Sequence, residues 1–299
     1  MTRLSIRHET LYRYGQAVSF GPHRLMVRPR DSHADRIVEA SLKLYPPGDT
    51  RWVYDALGNC ICWYQPQGMS NELSIISSLV IDRFPAPLNM LPVVDPHTAM
   101  PIVYGLADRV VLNPFVVPVT DVDAVVLEWV RGHMSQADEP AMAFLSRLTQ
   151  SIHAEFSYGE RAEPGVQTPG ETISRGAGTC RDFAWLMIEA LRRLGYAARF
   201  VTGYLYSPRL DTPQSDGGYR GAGATHAWCD VFLPGLGWME FDPTNGLVES
   251  PDLIRVAATR TPEEAAPISG GIIGDPQGCE MSVRVDVHMM DGPPRSAAA

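Results

Sequence analysis

The chain has 299 residues, of which 45% are apolar and 20% are charged, and its formal net charge is −9. This composition is typical of a globular protein, and a usual domain size of about 150 residues predicts two domains. The negative charge argues against a nucleic-acid partner, because phosphate binding needs a concentrated basic surface. The charged start of the chain and the absence of a long apolar run predict no membrane partner and a cytoplasmic location.

Residues 1 to about 118 have the composition and spacing that are typical of a β-rich region. Short segments rich in β-branched and aromatic residues follow one another without a helical pattern, which predicts an antiparallel sandwich or barrel. The basic cluster His23–Arg30 is interpreted as a solvated strand face, and the proline-rich passage 84–118 as the join to a second domain. The predicted strands lie in "LSIRHETLYRY", "RIVEASLKLY", "RWVYDALGNCICWYQ" and "ELSIISSLVIDRF".

The periodicity changes after this passage. Residues 121–134 and 138–156 have apolar side chains at the three-four spacing of amphipathic helices. Asp121 is the candidate N-cap of the first helix, and Pro140 fits the first turn of the second. The tail, residues 291–299, has the composition of a disordered end.

A further helix is predicted to begin within "GAGTCRDFAW", residues 176–185. Thr179 and Asp182 form a T-x-x-D capping box, so Thr179 is the N-cap, Cys180 is the first helical residue and Gly195 ends the helix. Unpaired N–H groups and the helix dipole favour a thiolate at this position. An isolated cysteine is more often a buried structural residue, so a nucleophile needs a base nearby.

A candidate base, His226, lies in "ATHAWCDVFLPGLGWMEFDPTNG", residues 224–246. This segment predicts a hairpin with strands over 225–233 and 237–242. His226 begins the first strand and Asp242 ends the second, so both lie at the same end of the hairpin. Pairing of Leu233 with Trp238 would place Cys229 opposite Asp242 and point His226 to the other face. A loop one residue longer, or a bulge, would pair Trp228 with Asp242 and make His226 its diagonal neighbour, about 7 Å away between Cβ atoms.

These motifs together resemble the core of the transglutaminase-like cysteine peptidase and transglutaminase superfamily. The resemblance rests on "GTCRDFAWLMIEALRRLGYAARFVTGYL", then "HAW", then "GWMEFDPTNG", and covers about residues 150–250. The first part, with "YRYGQAVSFGPHRLMVRPR", resembles the N-terminal domain that bacterial transglutaminase-like proteins carry. Arg181 and Trp185 depart from the Gln and His that many such relatives have at these two positions.

The resemblance implies an α+β fold with a papain-like core, in which the nucleophile helix packs on an antiparallel sheet. It implies a β-rich N-terminal sandwich or barrel domain over 1–118 and a catalytic core with a C-terminal return strand over 119–290. Cys180 would be the nucleophile, His226 the general base and acid, and Asp242 the residue that orients the imidazole.

The backbone N–H of Cys180 is expected to stabilise the oxyanion, because it lies at a helix N-terminus. The second donor stays open among three side chains, and Asn245 is a weaker rival to Asp242 for orienting the ring. The three candidate donors are Gln167, Trp185 and Trp228.

The expected reaction is cleavage of a peptide or isopeptide bond through an acyl-thioester, in a peptide or protein substrate. Hydrolysis is favoured over cross-linking. No metal or cofactor is expected, and the sequence has no EF-hand pattern that would indicate calcium dependence. The glycine-rich passage 207–225 is predicted to be a mobile loop bordering the site. Two alternatives stay open: a catalytically silent peptide-binding module, and a redox sensor at Cys180.

Overall fold

The structure, a computed structural model, describes residues 1–84, 102–120, 124–134, 139–159, 165–207, 219–221 and 223–290. Within these ranges the fold is mixed α+β, as the sequence predicts. The N-terminal part is made of strands that form two sheets with an apolar core between them. Its strands are β1 (Thr2–Phe20), β2 (His23–Leu25), β3 (Asp35–Tyr45), β4 (Gly48–Tyr54), β5 (Cys60–Pro66) and β6 (Met69–Arg83).

The alternation of side chains along β6 explains why this part folds as a sheet over a core. Leu73, Ile75, Leu79 and Ile81 are two or four residues apart and are all buried, because successive strand residues point to opposite faces. β3 is the outermost strand on one side of the first sheet, where it lies next to β6, and β4 is the outermost strand on one side of the second sheet, where it lies next to β5. β3 and β4 are therefore edge strands.

The helices surround a second apolar core. The last of them is buried on nearly every side, and its apolar residues share this core with one face of a neighbouring sheet. The helices are α1 (Leu106–Val116), α2 (Ala124–Gly132), α3 (Ala141–Glu155), α4 (Pro169–Arg175) and α5 (Cys180–Arg193).

The sheet under α5 has five antiparallel strands in the order β12–β11–β10–β9–β13. A separate two-stranded parallel pair, β7 and β8, leads into α5. The strands are β7 (Ser157–Tyr158), β8 (Ala177–Gly178), β9 (Ala198–Leu205), β10 (His226–Leu233), β11 (Gly237–Asp242), β12 (Leu247–Val248), β13 (Leu253–Thr259), β14 (Ile268–Ser269), β15 (Ile272–Ile273) and β16 (Cys279–Met290).

The end of the chain returns to the N-terminal sheets. β14 pairs with β2, and both β15 and β16 pair with β1. The return strand expected in the core thus extends the sheet that begins the chain. The boundary at residue 118 stays a prediction, and the two parts are joined by a shared apolar cluster that includes Leu4, Tyr204 and Val285.

Three local predictions need correction. The described part of the proline-rich join contains α1, which Leu112 and Phe115 anchor to the core despite Pro114 inside it. The cluster His23–Arg30 is not a solvated face, because His23, Leu25, Met26 and Val27 are buried. Pro140 is the N-cap of α3 rather than a residue of its first turn.

Three further predictions concern residues that the structure does not describe. Asp121, the tail 291–299 and the earlier part of the proline-rich join lie outside the described residues.

Candidate active site

Cys180 is the first residue of α5, and it is buried, with 7% of the residue exposed. The predicted cap is present: the backbone N–H of Thr179 donates to Asp182 Oδ2 at 2.8 Å, and the Thr179 hydroxyl donates to the same oxygen at 2.9 Å. Leu194 is the C-cap, and Gly195 follows it with φ +86°. The helix therefore begins and ends where the sequence predicts.

The turn before Cys180 is fixed from two further sides. Gln167 donates its backbone N–H to the other oxygen of Asp182, Oδ1, at 2.7 Å. Gly178 packs so closely that an added Cβ would lie 2.9 Å from the Asp182 Cβ and 3.1 Å from the Phe183 ring. Only glycine fits at position 178. The Asp182 carboxylate and this close packing together fix the backbone that leads into Cys180.

The hairpin has the register that brings His226 and Asp242 together. Leu233 pairs with Gly237 and Cys229 with Phe241, so the next pair in this register is Trp228 and Asp242. His226 is then the diagonal neighbour of Asp242, as the sequence analysis required. The sequence predicted this register from a loop one residue longer or from a bulge, whereas the structure reaches it with a shorter loop, 234–236.

His226 Nε2 and Asp242 Oδ2 are 2.8 Å apart, and both side chains are fully buried. Asp242 also accepts the Thr244 N–H on Oδ1 and the Asn245 amide on Oδ2, each at 2.9 Å. Burial alone would raise the pKa of Asp242, but His226 and these donors outweigh it and lower the pKa below its ordinary value. Asp242 is therefore held as a carboxylate.

The other nitrogen of His226, Nδ1, has no hydrogen-bond partner in the described part of the chain. Burial would lower the pKa of His226, whereas the charge of Asp242, its hydrogen bond and the nearby Cys180 sulfur together raise it. The ring thus has the carboxylate on Nε2 and the Cys180 sulfur nearby, and Nδ1 is not taken up by another group of the described chain. This is the arrangement that an imidazolium paired with a thiolate requires.

A short piece of the predicted loop borders this ring. Arg220 donates its backbone N–H to Asn245 Oδ1 at 2.7 Å, and its carbonyl accepts from Asn245 Nδ2 at 3.3 Å. A Cβ added to Gly221, which has φ +79°, would lie 3.3 Å from His226 Nδ1 and 3.1 Å from the Tyr158 hydroxyl. Residues 208–218 and 222 of the loop lie outside the described residues.

Asn245 does not compete with Asp242 for His226. It contacts Asp242 itself, and the same amide holds the backbone of Arg220, so it connects the carboxylate to the loop. Sequence reasoning did not identify Gly221 or Tyr158, and the glycine-rich composition before His226 was the only signal available for Gly221.

The expected oxyanion donor is available, because the Cys180 N–H has no partner among the described residues. The Gln167 amide points to Ala177 O and Asp182 Oδ2, at 3.4 Å each. Trp185 packs in the core under Arg192. The Trp228 ring stacks on His226 with centroids 6.2 Å apart, and its N–H has no partner in the described chain.

No group of three His, Cys, Asp or Glu side chains in the described ranges is arranged to hold a metal ion. None of the helices described is long and apolar enough to cross a membrane.

Comparison with known proteins gives two family matches. Residues 128–243 match the transglutaminase-like superfamily, and residues 4–82 match the bacterial transglutaminase-like N-terminal region. The first match contains Cys180, His226 and Asp242.

Similar chains cover nearly the whole length. The uncharacterized protein Rv2569c of Mycobacterium tuberculosis is 28% identical over 97% of this chain and 94% of its own. The uncharacterized protein ML0607 of Mycobacterium leprae is 24% identical over 90% and 93%. A solved structure, a "Putative Cysteine Protease" from Cytophaga hutchinsonii, has a TM-score of 0.73 and 21% identity, and the alignment covers 98% of this chain and 92% of that one. This likeness establishes the fold.

Proposed function

We propose that this chain, which belongs to the transglutaminase-like superfamily through its core at residues 128–243, is a cysteine-dependent enzyme that breaks amide bonds. In this proposal Cys180 is the nucleophile, His226 the general base and acid, and Asp242 the residue that orients and charges the imidazole. One observation carries it: the buried His226 has Asp242 on one nitrogen and Cys180 beside it, with Nδ1 left without another partner.

The reaction follows from this geometry. The Cys180 sulfur attacks the carbonyl carbon of an amide, and the developing oxyanion accepts a hydrogen bond from the Cys180 N–H. The C–N bond then breaks, and the proton held by His226 goes to the leaving amine. The product bound to the enzyme is a thioester, which a second nucleophile cleaves after His226 has removed its proton.

We favour water as that second nucleophile, so that the overall reaction is hydrolysis of a peptide or isopeptide bond. A lysine amine in the same place would give cross-linking instead. Both reactions share the thioester, and they differ in what the acyl group is bonded to at the end.

The test is an experiment in ¹⁸O-labelled water with two probes, a glutamine-containing peptide library and a γ-glutamyl-lysine isopeptide. Intact-protein mass spectrometry after rapid acid quenching is expected to show an adduct at Cys180 that hydroxylamine removes. Hydrolysis places ¹⁸O in the acid product, and added butylamine gives little amide. Predominant transfer to butylamine would instead identify an acyltransferase.

The matched control uses two cysteines. Cys180→Ser is expected to abolish the adduct and turnover, whereas Cys279→Ser, at an exposed cysteine, keeps both. Probe binding without an adduct in the wild type would contradict the proposal and favour the peptide-binding module. Oxidation of Cys180 without amide turnover would favour the redox sensor.

The partner in this proposal is a peptide or protein substrate. The cytoplasmic location also stays a prediction, and cell fractionation tests it.

A further inference from the structure

The N-terminal part contains an open seam between two edge strands. Among the residues that the structure describes, β3 is the last strand of its sheet and pairs only with β6, and β4 is the last strand of the other sheet and pairs only with β5. The two strands follow one another in the chain, yet no backbone hydrogen bond joins them among the described residues, which include all of 35–54. Their outer edges therefore present backbone donors and acceptors.

Two cavities lie in this seam. One, of about 250 Å³, has Leu42 and Leu44 of β3 on one side and Thr50 of β4 on the other. The second, of about 240 Å³, lies between Ile37 and Tyr54. Both are lined by Arg28 and Trp52, so they form one groove along the two strands.

The groove continues towards the core sheet. Arg30 and Asp31 line the second cavity and also a larger one of about 410 Å³, whose far wall includes Trp238 and Glu240 of β11. β11 belongs to the hairpin that carries His226 and Asp242. A molecule lying in the groove would thus reach from the N-terminal sheets to the core.

The charged side chains that line the groove are two arginines, Arg28 and Arg30, and one carboxylate, Asp31, whose Oδ1 accepts the Ile37 N–H at 2.7 Å. The Arg28 guanidinium lies 5.7 Å from the Trp52 ring centroid and that of Arg30 lies 4.9 Å from the Tyr54 centroid. Neither forms an ion pair with a carboxylate in the described chain, although the chain as a whole has a net charge of −9. Trp52 and Tyr54 are 41% and 68% exposed and lie two residues apart, on the same face of β4.

We propose that this groove, the seam between β3 and β4, binds an extended polypeptide segment with acidic side chains, which adds as a strand between them. Strand addition uses main-chain hydrogen bonds for affinity and pockets for alternate side chains for selectivity. The aromatic faces of Trp52 and Tyr54 hold the two guanidinium groups in place for carboxylates. The β-bulge between Ile37 and Glu39 protects one end of β3, so the segment is expected beside residues 39–45.

The test measures binding to the full-length chain by fluorescence polarisation. The probe is a fluorescein-labelled peptide that alternates Glu and Val, and the comparison peptides alternate Lys and Val or carry N-methylated backbone on every second residue. We expect saturable binding of the acidic peptide only. Equal binding of the lysine peptide or of the N-methylated peptide would overturn the proposal, as would no binding of the acidic peptide.

Matched variants locate the site. Trp52→Ala and Arg28→Gln are each expected to weaken binding by about tenfold, as for a contact at the centre of an interface. Trp63→Ala and Arg51→Gln are the controls, because Trp63 is 44% exposed and pairs with Arg51 on the face away from the cavities. Unchanged binding in Trp52→Ala and Arg28→Gln would exclude the groove as the site.

Amide hydrogen exchange provides the second measurement. The acidic peptide is expected to slow exchange in β3 and β4, and unchanged exchange there would contradict strand addition. This inference does not depend on the chemistry of Cys180, since the same binding is expected for Cys180→Ser. Loss of amide cleavage with intact peptide binding would therefore reject only the proposed function.

Discussion

Two carboxylates on β11 lie two residues apart and have opposite protonation behaviour. Asp242 is fully buried and accepts hydrogen bonds from His226, Thr244 and Asn245, and its pKa is lowered. The Glu240 side chain is 15% exposed and accepts a hydrogen bond from Arg255 at 3.0 Å. Burial and the charges of Asp230 and Glu249 raise the pKa of Glu240 to about 7.

The difference shows that partners, rather than burial, decide the charge of a carboxylate here. Asp242 is the more deeply buried of the two, yet it is the one held as an anion, because donors face both of its oxygens. Glu240 shares its surroundings with two other carboxylates, so its ionised form is disfavoured. The same strand thus carries a carboxylate beside His226, Asp242, and a titrating carboxyl group, Glu240, in the cavity of about 410 Å³.

Substitution of Asp242 is expected to have the largest effect on activity. Asp242→Asn keeps the shape but removes the charge that stabilises the imidazolium, so kcat is expected to fall by about 10³–10⁴-fold. Glu240→Gln is the matched control on the same strand and is expected to change kcat less than about twofold, since Glu240 does not contact His226. Steady-state kinetics on the amide probe that the wild type cleaves measures both, and equal losses would contradict the assignment.

Removing Asn245 weakens the support of Asp242 without removing its charge. Asn245→Ala deletes one charge-assisted hydrogen bond to Asp242 and both contacts to the Arg220 backbone, so kcat/KM is expected to fall by about 10–100-fold. Arg220→Ala is the control, because Asn245 contacts only its backbone. A positioning role predicts that the acidic limb of the pH–rate profile also moves in Asn245→Ala. An unchanged profile with lower thermal stability would indicate a structural role alone.

The smallest effect is expected in Glu240→Gln, on how thermal stability depends on pH. The folded-state pKa of about 7 is raised above the ordinary carboxyl value, so protonation of Glu240 stabilises the fold at low pH. This contribution is fully present below the unfolded pKa and is lost as pH rises through about 7. Glu240→Gln is therefore expected to reduce the fall in Tm between pH 5 and pH 8 by a few degrees, measured by calorimetry. An equal fall in both proteins would show that Glu240 does not titrate in this range.

The sequence predicts local features of the site well. The capping box at Thr179 and Asp182, the start of α5 and the two hairpin strands depend on neighbouring residues, and each lies where it was predicted. The register of His226 and Asp242 was correctly recognised as the decisive feature, although the loop that produces it is shorter than proposed. A difference of one loop residue depends on how Gly235 and Gly237 turn, at φ +82° and +81°, which spacing alone does not determine.

Features that depend on distant pairing were missed. Nothing near β16 indicates that it pairs with β1, more than two hundred residues earlier in the chain. α1 was hidden by Pro114, because its stability comes from Leu112 and Phe115 packing on the core rather than from helix propensity. The titration of Glu240 was equally invisible, since Asp230 and Glu249 approach it from other strands and loops.

The most direct test of the central claim is the rate of iodoacetamide alkylation at Cys180 as a function of pH, located by peptide mapping. It compares the wild type with His226→Ala and Asp242→Asn, and Cys279 in the same protein serves as the internal reference. The proposal predicts that Cys180 of the wild type reacts rapidly at pH 6, where Cys279 does not, and that both variants lose this reactivity. Reaction of Cys180 at the rate of Cys279 in all three proteins would contradict an activated cysteine–histidine pair.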